Sequence, residues 1–400
     1  MKIICSQEEV PKAFLKSIFL AGPTPRSKDV QSWRPEAIKI LEELGFDGVV
    51  FNPERNNKSI EDNFRYGYAE QIEWEEKCLN LADCIIFWIP RELKTMPAFT
   101  TNDEWGRWKN SGKAVFGAPK DAEKTSYQEY YAKKLKVPTA DTLKETIENS
   151  LKMIGEGALR VGGETEVPLY IWKAPHFQKW YSAQKSAGNR LDGAKVEWVF
   201  RVGPDKKFIF VWALHVDIYI ASENRHKINE IVISRPDISV TVMYKKGKSL
   251  NDTSVVLIRE FRSPASTIDG FVWEAPGGSS LKKDEKPETL AANECKEETG
   301  LIINPNRIRI HESRQLVATL SGHKANLFSV EITEEEINYL KSQQGIAHGV
   351  IEDSERTYVE IKNIEEIKKE GKVDWSMLGM ILSVLTEIFS NKKTEEENAK

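Results

Sequence analysis

Two groups of acids in the chain have the type and spacing to do chemistry. The first is Asn293–Gly300 (NECKEETG), where Glu294, Glu297 and Glu298 stand at i, i+3 and i+4. On a helix these carboxylates converge on one face and repel one another, and a divalent cation reverses the sign of that interaction. Hard carboxylate ligands favour Mg2+ or Mn2+. Such an ion neutralises phosphates and acidifies an attacking water. The second group is Glu104, in TTNDEWGRW after the apolar run CIIFWIP, together with Glu75 in IEWEE. Two carboxylates sharing one pocket can divide into nucleophile and acid, the division of labour of glycosyl transfer.

The elements around Glu75 and Glu104 read as alternating strands and helices. Short apolar runs at Ser17–Gly22, Gly48–Asn52, Cys84–Ile89 and Ala114–Gly117 are separated by helical stretches such as Trp33–Leu44 and Ile60–Ala82, and Asp141–Met153 reads as a closing helix. This pattern predicts an α/β domain, a parallel sheet flanked by helices of flavodoxin or Rossmann type. Ligands of such sheets gather beyond the carboxyl ends of the strands. A helix beginning near Thr101 would put Glu104 close to its N-terminus, where the dipole would keep the carboxylate ionised. Glu75 lies two turns before Asp83, and at ~1.5 Å per residue its helix climbs back roughly 12 Å toward the same edge. Asp83, at the opposite end of its strand, reads as a structural cap.

A glycine-rich passage, Gly155 to Gly163, breaks the pattern. The expected division is a first domain at 1–155, a linker at 156–163, a β-rich segment at 164–262, a core at 263–390 and a charged, frayed tail at 391–400. In Phe208–Ile220 every even position is large and apolar, the period of a strand with one buried face. Further strands are expected at Ala194–Val202, Glu230–Ser234, Ser239–Tyr244 and Ser254–Arg262, with helices at Pro287–Thr299 and Ser376–Phe389. The second half therefore reads as α+β, a mixed sheet between helices with a β-rich N-terminal extension. Pro287 suits the first turn of the acidic helix and Gly300 its end.

Composition narrows the partners. A net charge of -4 with no basic block argues against nucleic acid. Four cysteines without a C-x-x-C pair read as reduced thiols of a cytoplasmic protein. The N-terminus lacks a signal-peptide pattern, and no stretch approaches transmembrane length. Most of the eleven tryptophans read as core, among them Trp88, Trp105 and Trp108. His215 and Asp217 read as a solvated pair.

From Trp273 to Leu301 the chain resembles the Nudix box, G-x5-E-x7-R-E-U-x-E-E-x-G-U. Glu297 and Glu298 fill the paired acids, Cys295 the apolar place, Glu294 the preceding acid and Glu285 the early glutamate. Two positions depart: Asn293 holds the arginine place, and the opening glycine falls on Ser279, with Gly278 one residue early. The resemblance implies metal ligands in Glu294, Glu297 and Glu298, with the Gly277 carbonyl as a further ligand and Glu294 also catalytic. Glu274 would support them, and Glu352 or Glu355 could supply a base. It also implies hydrolysis of a nucleoside diphosphate-linked substrate. The β-rich segment is similar to the N-terminal extension of ADP-ribose pyrophosphatase-type enzymes, which implies a homodimer. Leu316–Gly322 lacks the proline of ADP-ribose hydrolases, so no substrate is named.

The first half resembles the nucleoside 2-deoxyribosyltransferase-like family through IFLAGPTPR, SWRPEA, NPE, IEWEEKCLNLADCIIFWIP and TTNDEWGRW. This implies that Glu104 attacks the anomeric carbon and that Glu75 protonates the base. Ala21, Gly22 and Pro23 would line the sugar pocket, with Thr101 and Asn102 as further substrate contacts. Hydrolysis and base exchange both stay open. So does a different class of protein, a nucleotide-binding sensor with one or both sites catalytically weak.

Overall fold

The computed structural model describes residues 1–27, 29–55, 68–206, 208–279, 286–350 and 355–398. Of the residues singled out in the sequence, Glu285 and Glu352 lie outside these, as do residues 60–67 of the expected helix 60–82. The chain divides into two compact units, Met1–Val232 and Ile233–Lys400. The boundary expected at 156–163 thus falls inside the first unit, and the β-rich segment is split between the two.

Unit 1 contains a six-stranded sheet: β1 (Lys2–Cys5), β2 (Ser17–Ala21), β3 (Val49–Asn52), β4 (Cys84–Trp88), β5 (Ala114–Gly117) and β6 (Thr139–Ala140). Its spatial order is β1-β3-β2-β4-β5-β6, and every pairing is parallel. Strands β2, β3, β4 and β5 are buried at every position. That is why they read as continuous apolar runs rather than alternating ones. Helices α1 (Arg34–Glu43) and α5 (Leu143–Ile154) cover one face through Ala37, Leu41 and Ile147. Helices α2 (Tyr68–Leu81), α3 (Phe99–Trp108) and α4 (Ser126–Leu135) cover the other through Cys78, Trp105 and Ala132. From β2 the chain turns outward to β3, then crosses to β4 on the other side of β2. Adjacent strands leaving in opposite directions open a crevice at their carboxyl ends.

Asp83 closes the opposite end. It is 5% exposed and takes Arg160 through both oxygens, at 2.8 and 2.6 Å, plus the Ser17 and Leu169 N–H groups. The structural role expected of Asp83 is what these contacts describe. Unit 1 continues through helix α6 (Pro175–Ser186) into a three-stranded antiparallel sheet of β7 (Arg190–Val202), β8 (Phe208–Ile220) and β9 (Arg225–Ser234). Trp180, Phe177 and Trp212 form its core. His215 and Asp217 do not meet: His215 Nε2 faces the Ile228 carbonyl, and Asp217 pairs with His226.

Unit 2 is a mixed sheet of β10 (Ile238–Lys245), β11 (Ser254–Phe261), β12 (Phe271–Glu274), β13 (Gly277–Gly278), β14 (Arg309–Gln315), β15 (Lys324–Glu331), β16 (Ala347–His348) and β17 (Thr357–Asn363). Its main path runs β14-β15-β10-β11-β17-β16, parallel only between β10 and β15. Helix α7 (Pro287–Thr299) packs Ala291 and Cys295 against Met243 and Val256 on one face, joined there by α8 (Glu334–Gln343) through Ile337 and Leu340. On the other face α9 (Ile364–Glu370) and α10 (Trp375–Asn398) supply Ile367, Ile381 and Val384. The acidic helix has the ends its sequence predicted. Helix α10 runs through the charged tail to Asn398, and KKTEEEN consists mostly of good helix formers. Among the described residues no helix is long and apolar enough to cross a membrane.

Candidate functional site

The crevice of unit 1 holds a cavity of about 210 Å3. Glu75 from α2 and Glu104 from α3 both line it, as do Ala21, Gly22, Pro23 and Thr101. Two helices on the same sheet face therefore bring together residues 29 positions apart in sequence. Asn102 is the exception. It does not line this cavity, because its side-chain oxygen accepts from Arg91 Nη2 on another face of α3.

Arg34 organises the wall. It is 1% exposed, and its guanidinium donates to the carbonyls of Leu20 and Gly22, to Thr24 Oγ1 and to Glu54 Oε1. The loop after β2 is thereby wrapped around one buried cation. Gly22 is required by close approach: a Cβ there would lie 2.3 Å from the Trp88 carbonyl and 2.6 Å from the Trp33 ring. Trp88 and Trp105 are core, as expected, Trp105 meeting Phe87 edge-on at 5.2 Å. Gln71 Nε2 spans the Pro53 carbonyl and Glu75 Oε1, at 3.0 and 2.6 Å, and so aims the Glu75 carboxyl.

The expected ionisation of Glu104 is corrected. Helix α3 begins at Phe99, so Glu104 is its sixth residue, beyond the turn where the dipole acts. Burial, then the charge of Glu75, push its carboxyl up to about 8, against a smaller pull from Arg34. Burial also raises Glu75, opposed by its hydrogen bond from Gln71 and by Arg34. Burial and like charge thus favour the protonated form in this pair.

In unit 2 the acids gather around Glu298, which is 2% exposed. The Gly277 N–H donates to its Oε2 at 2.9 Å, so Gly277 meets this acid through its N–H. Glu298, Glu260 and Glu355 offer oxygens within 4.8 Å of one another. Burial first, then Glu294, Glu355 and Glu260, raise Glu298 well above its ordinary value. Glu260 is pushed up to about 7, mainly by burial, with Arg262 opposing. Glu294 packs its carboxylate against Gly278, where a Cβ would come within 2.6 Å of it. Arg262 contacts Glu260 Oε2 at 2.8 Å and donates to Glu274 Oε2 at 2.7 Å.

The box acids are therefore not equivalent. Glu298 is buried, Glu294 is half-buried and Glu297 is exposed, and of these three Glu298 alone belongs to the group with Glu260 and Glu355. Asn293 is also exposed. Sequence reasoning missed Glu260, although a signal was present. In SVVLIREF, Glu260 alternates with Val256 and Ile258, so it continues the buried face that meets α7. An acid on an apolar face is the informative exception. Arg34 was missed inside the SWRPEA run, where it opens α1.

The residues fit a cation: buried, mutually repelling carboxylates with more negative charge than one guanidinium neutralises. Comparison with known families agrees. A nucleoside 2-deoxyribosyltransferase-like model matches residues 15–122, and a NUDIX domain model matches residues 234–377, in that order along the chain. The first match spans Glu75 and Glu104, and the second spans Glu260, Glu298 and Glu355. NUDIX domains generally use divalent metal ions. No curated protein matches the chain.

Proposed function

We propose that the chain is a bifunctional nucleotide-processing enzyme. The observation that carries the reading is that each unit buries its own acid group, one a carboxyl pair lining a cavity and the other a carboxylate cradle. In unit 2, Glu260, Glu294, Glu298 and Glu355 would hold Mg2+ or Mn2+. When bound there, the ion neutralises two phosphates and lowers the pKa of a water. Arg262 keeps Glu260 and Glu274 in place. The products are a nucleoside monophosphate and the group it was linked to.

In unit 1, Glu104 attacks the anomeric carbon while the N-glycosidic bond breaks. Glu75 protonates the departing base. The proton that Glu104 keeps in the free pocket must leave it before attack, and Glu75 is the neighbour positioned to receive it. Water or a second base then releases the sugar from Glu104, giving hydrolysis or base exchange. The monophosphate from unit 2 would be the substrate of unit 1. The free, buried cysteines support a reducing, cytoplasmic setting. Assembly as a homodimer belongs to the same proposal.

A time course by mass spectrometry tests this reading. The full chain with Mg2+ meets nucleoside triphosphates, dinucleotides, nucleotide sugars and monophosphates. Monophosphate formed only with metal, followed by free base, is the expected result. A ligand that raises the melting temperature without turnover would favour the second reading, a nucleotide sensor, to which Asn293 in the arginine place already points.

A further inference from the structure

We propose that Glu260 is a metal ligand, so that the cation site of unit 2 is built across strand β11 and helix α7 rather than on the acidic helix alone. This rests on the reading of unit 2 as a cation-dependent hydrolase. It adds a ligand from outside the NECKEETG run and leaves Glu297, a member of that run, out of the innermost set.

Three observations carry it. First, Glu260 stands on the face of β11 that continues from Val256, the face against which α7 packs. Its carboxylate is thereby delivered to Glu298 and Glu355, with oxygens of all three within 4.8 Å. Glu355 reaches the same place because β11 and β17 pair with Glu260 opposite Thr357, two residues further on. Second, Glu260 is 7% exposed, and its Oε2 is buried without a hydrogen bond. Arg262 Nη2 lies 2.8 Å away, near enough for charge contact, yet the angles make no hydrogen bond. The proper hydrogen bond of that guanidinium goes to Glu274. Charge contact without a hydrogen bond leaves part of the desolvation cost of that buried oxygen unmet, and a divalent cation would meet it. Third, among the described residues the three clustered carboxyl groups have one guanidinium, Arg262, in ion-pair contact, and Glu274 shares it.

Mn2+ binding to the full chain, followed by the EPR signal of the free ion, separates the possibilities. Glu260→Gln keeps shape and removes charge. Its Mn2+ affinity should fall at least about tenfold, as even supporting residues of metal sites commonly cost that much. Glu298→Gln should fall as far, and Glu297→Gln by less than about threefold. Without metal, Glu260→Gln should melt no lower than wild type, because a buried repulsion has been relieved. Glu260→Asp, equally charged but one methylene shorter, carries the same test if the amide variant misfolds, and should lose at least about threefold. Wild-type affinity in Glu260→Gln or Glu260→Asp, with loss in Glu298→Gln, would overturn the assignment and leave the hydrolase reading standing. A wild-type chain that binds no Mn2+ would overturn both.

Discussion

Glu75 and Glu104 line one cavity, and the charge of Glu75 helps push the Glu104 carboxyl up to about 8. A carboxyl pair in this state is poised for chemistry that needs one protonated and one ionised member. It also makes the fold sensitive to pH in a defined direction. The folded state holds a proton that an unfolded glutamate, with a pKa near 4.5, has already released. The contribution of Glu104 to stability therefore falls as pH rises from about 4.5 to about 8. Glu104→Gln should raise the melting temperature of unit 1 at pH 8 and change it little at pH 4.5, read by scanning calorimetry across pH.

Glu75→Gln removes the acid but preserves the hydrogen-bond partner of Gln71. Release of free base should drop by about 10²–10⁴-fold, the usual contribution of a positioned general acid. Substrates with a better leaving base should suffer least, which a series of modified bases would show.

Gly22→Ala tests the close approach of the loop after β2. The added methyl would meet the Trp88 carbonyl and the Trp33 ring, so the loop must shift away from Arg34. A loss of about 1–3 kcal/mol is expected, together with weaker nucleotide binding. Urea unfolding and calorimetric titration measure the two effects.

Asp83→Ala leaves Arg160 buried and uncompensated. The expected cost is about 3–5 kcal/mol, with activity per folded molecule unchanged, since Asp83 caps the sheet end opposite the cavity. A variant as stable as wild type would remove the structural role assigned to the pair.

Removing divalent cations should act on unit 2 with the opposite pH trend to a simple buried acid. Protons and cation compete for Glu260 and Glu298, both held above the ordinary carboxylate value. The metal-dependent rise in melting temperature should therefore grow as pH rises through about 7, measured with and without chelator.

Much of this architecture was legible because fully buried parallel strands and a capped helix leave strong local marks. SIFLA, CIIFW and AVFG announce themselves, and so does the helix from Pro287 to Gly300. The short edge strand Lys2–Cys5 did not, since only half of it is buried. Depth within a site was also hidden. Spacing placed Glu297 with Glu298, but only packing against the sheet separates an exposed acid from a buried one. Ionisation was harder still: the Glu104 prediction rested on one dipole, while burial and Glu75 dominate. The alternation in SVVLIREF marks Glu260 as buried, but which acids it joins, like the contacts of Arg34, depends on residues elsewhere along the chain.

The most direct test of two independent sites is a crossed product analysis on one nucleotide substrate. Glu298→Gln and Glu104→Gln are each compared with wild type by mass spectrometry. Monophosphate formation should be lost in Glu298→Gln and kept in Glu104→Gln, and release of base from added monophosphate should show the reverse. If either variant abolished both reactions while remaining folded, or neither reaction depended on its assigned glutamate, the account of two separate acid sites would be contradicted.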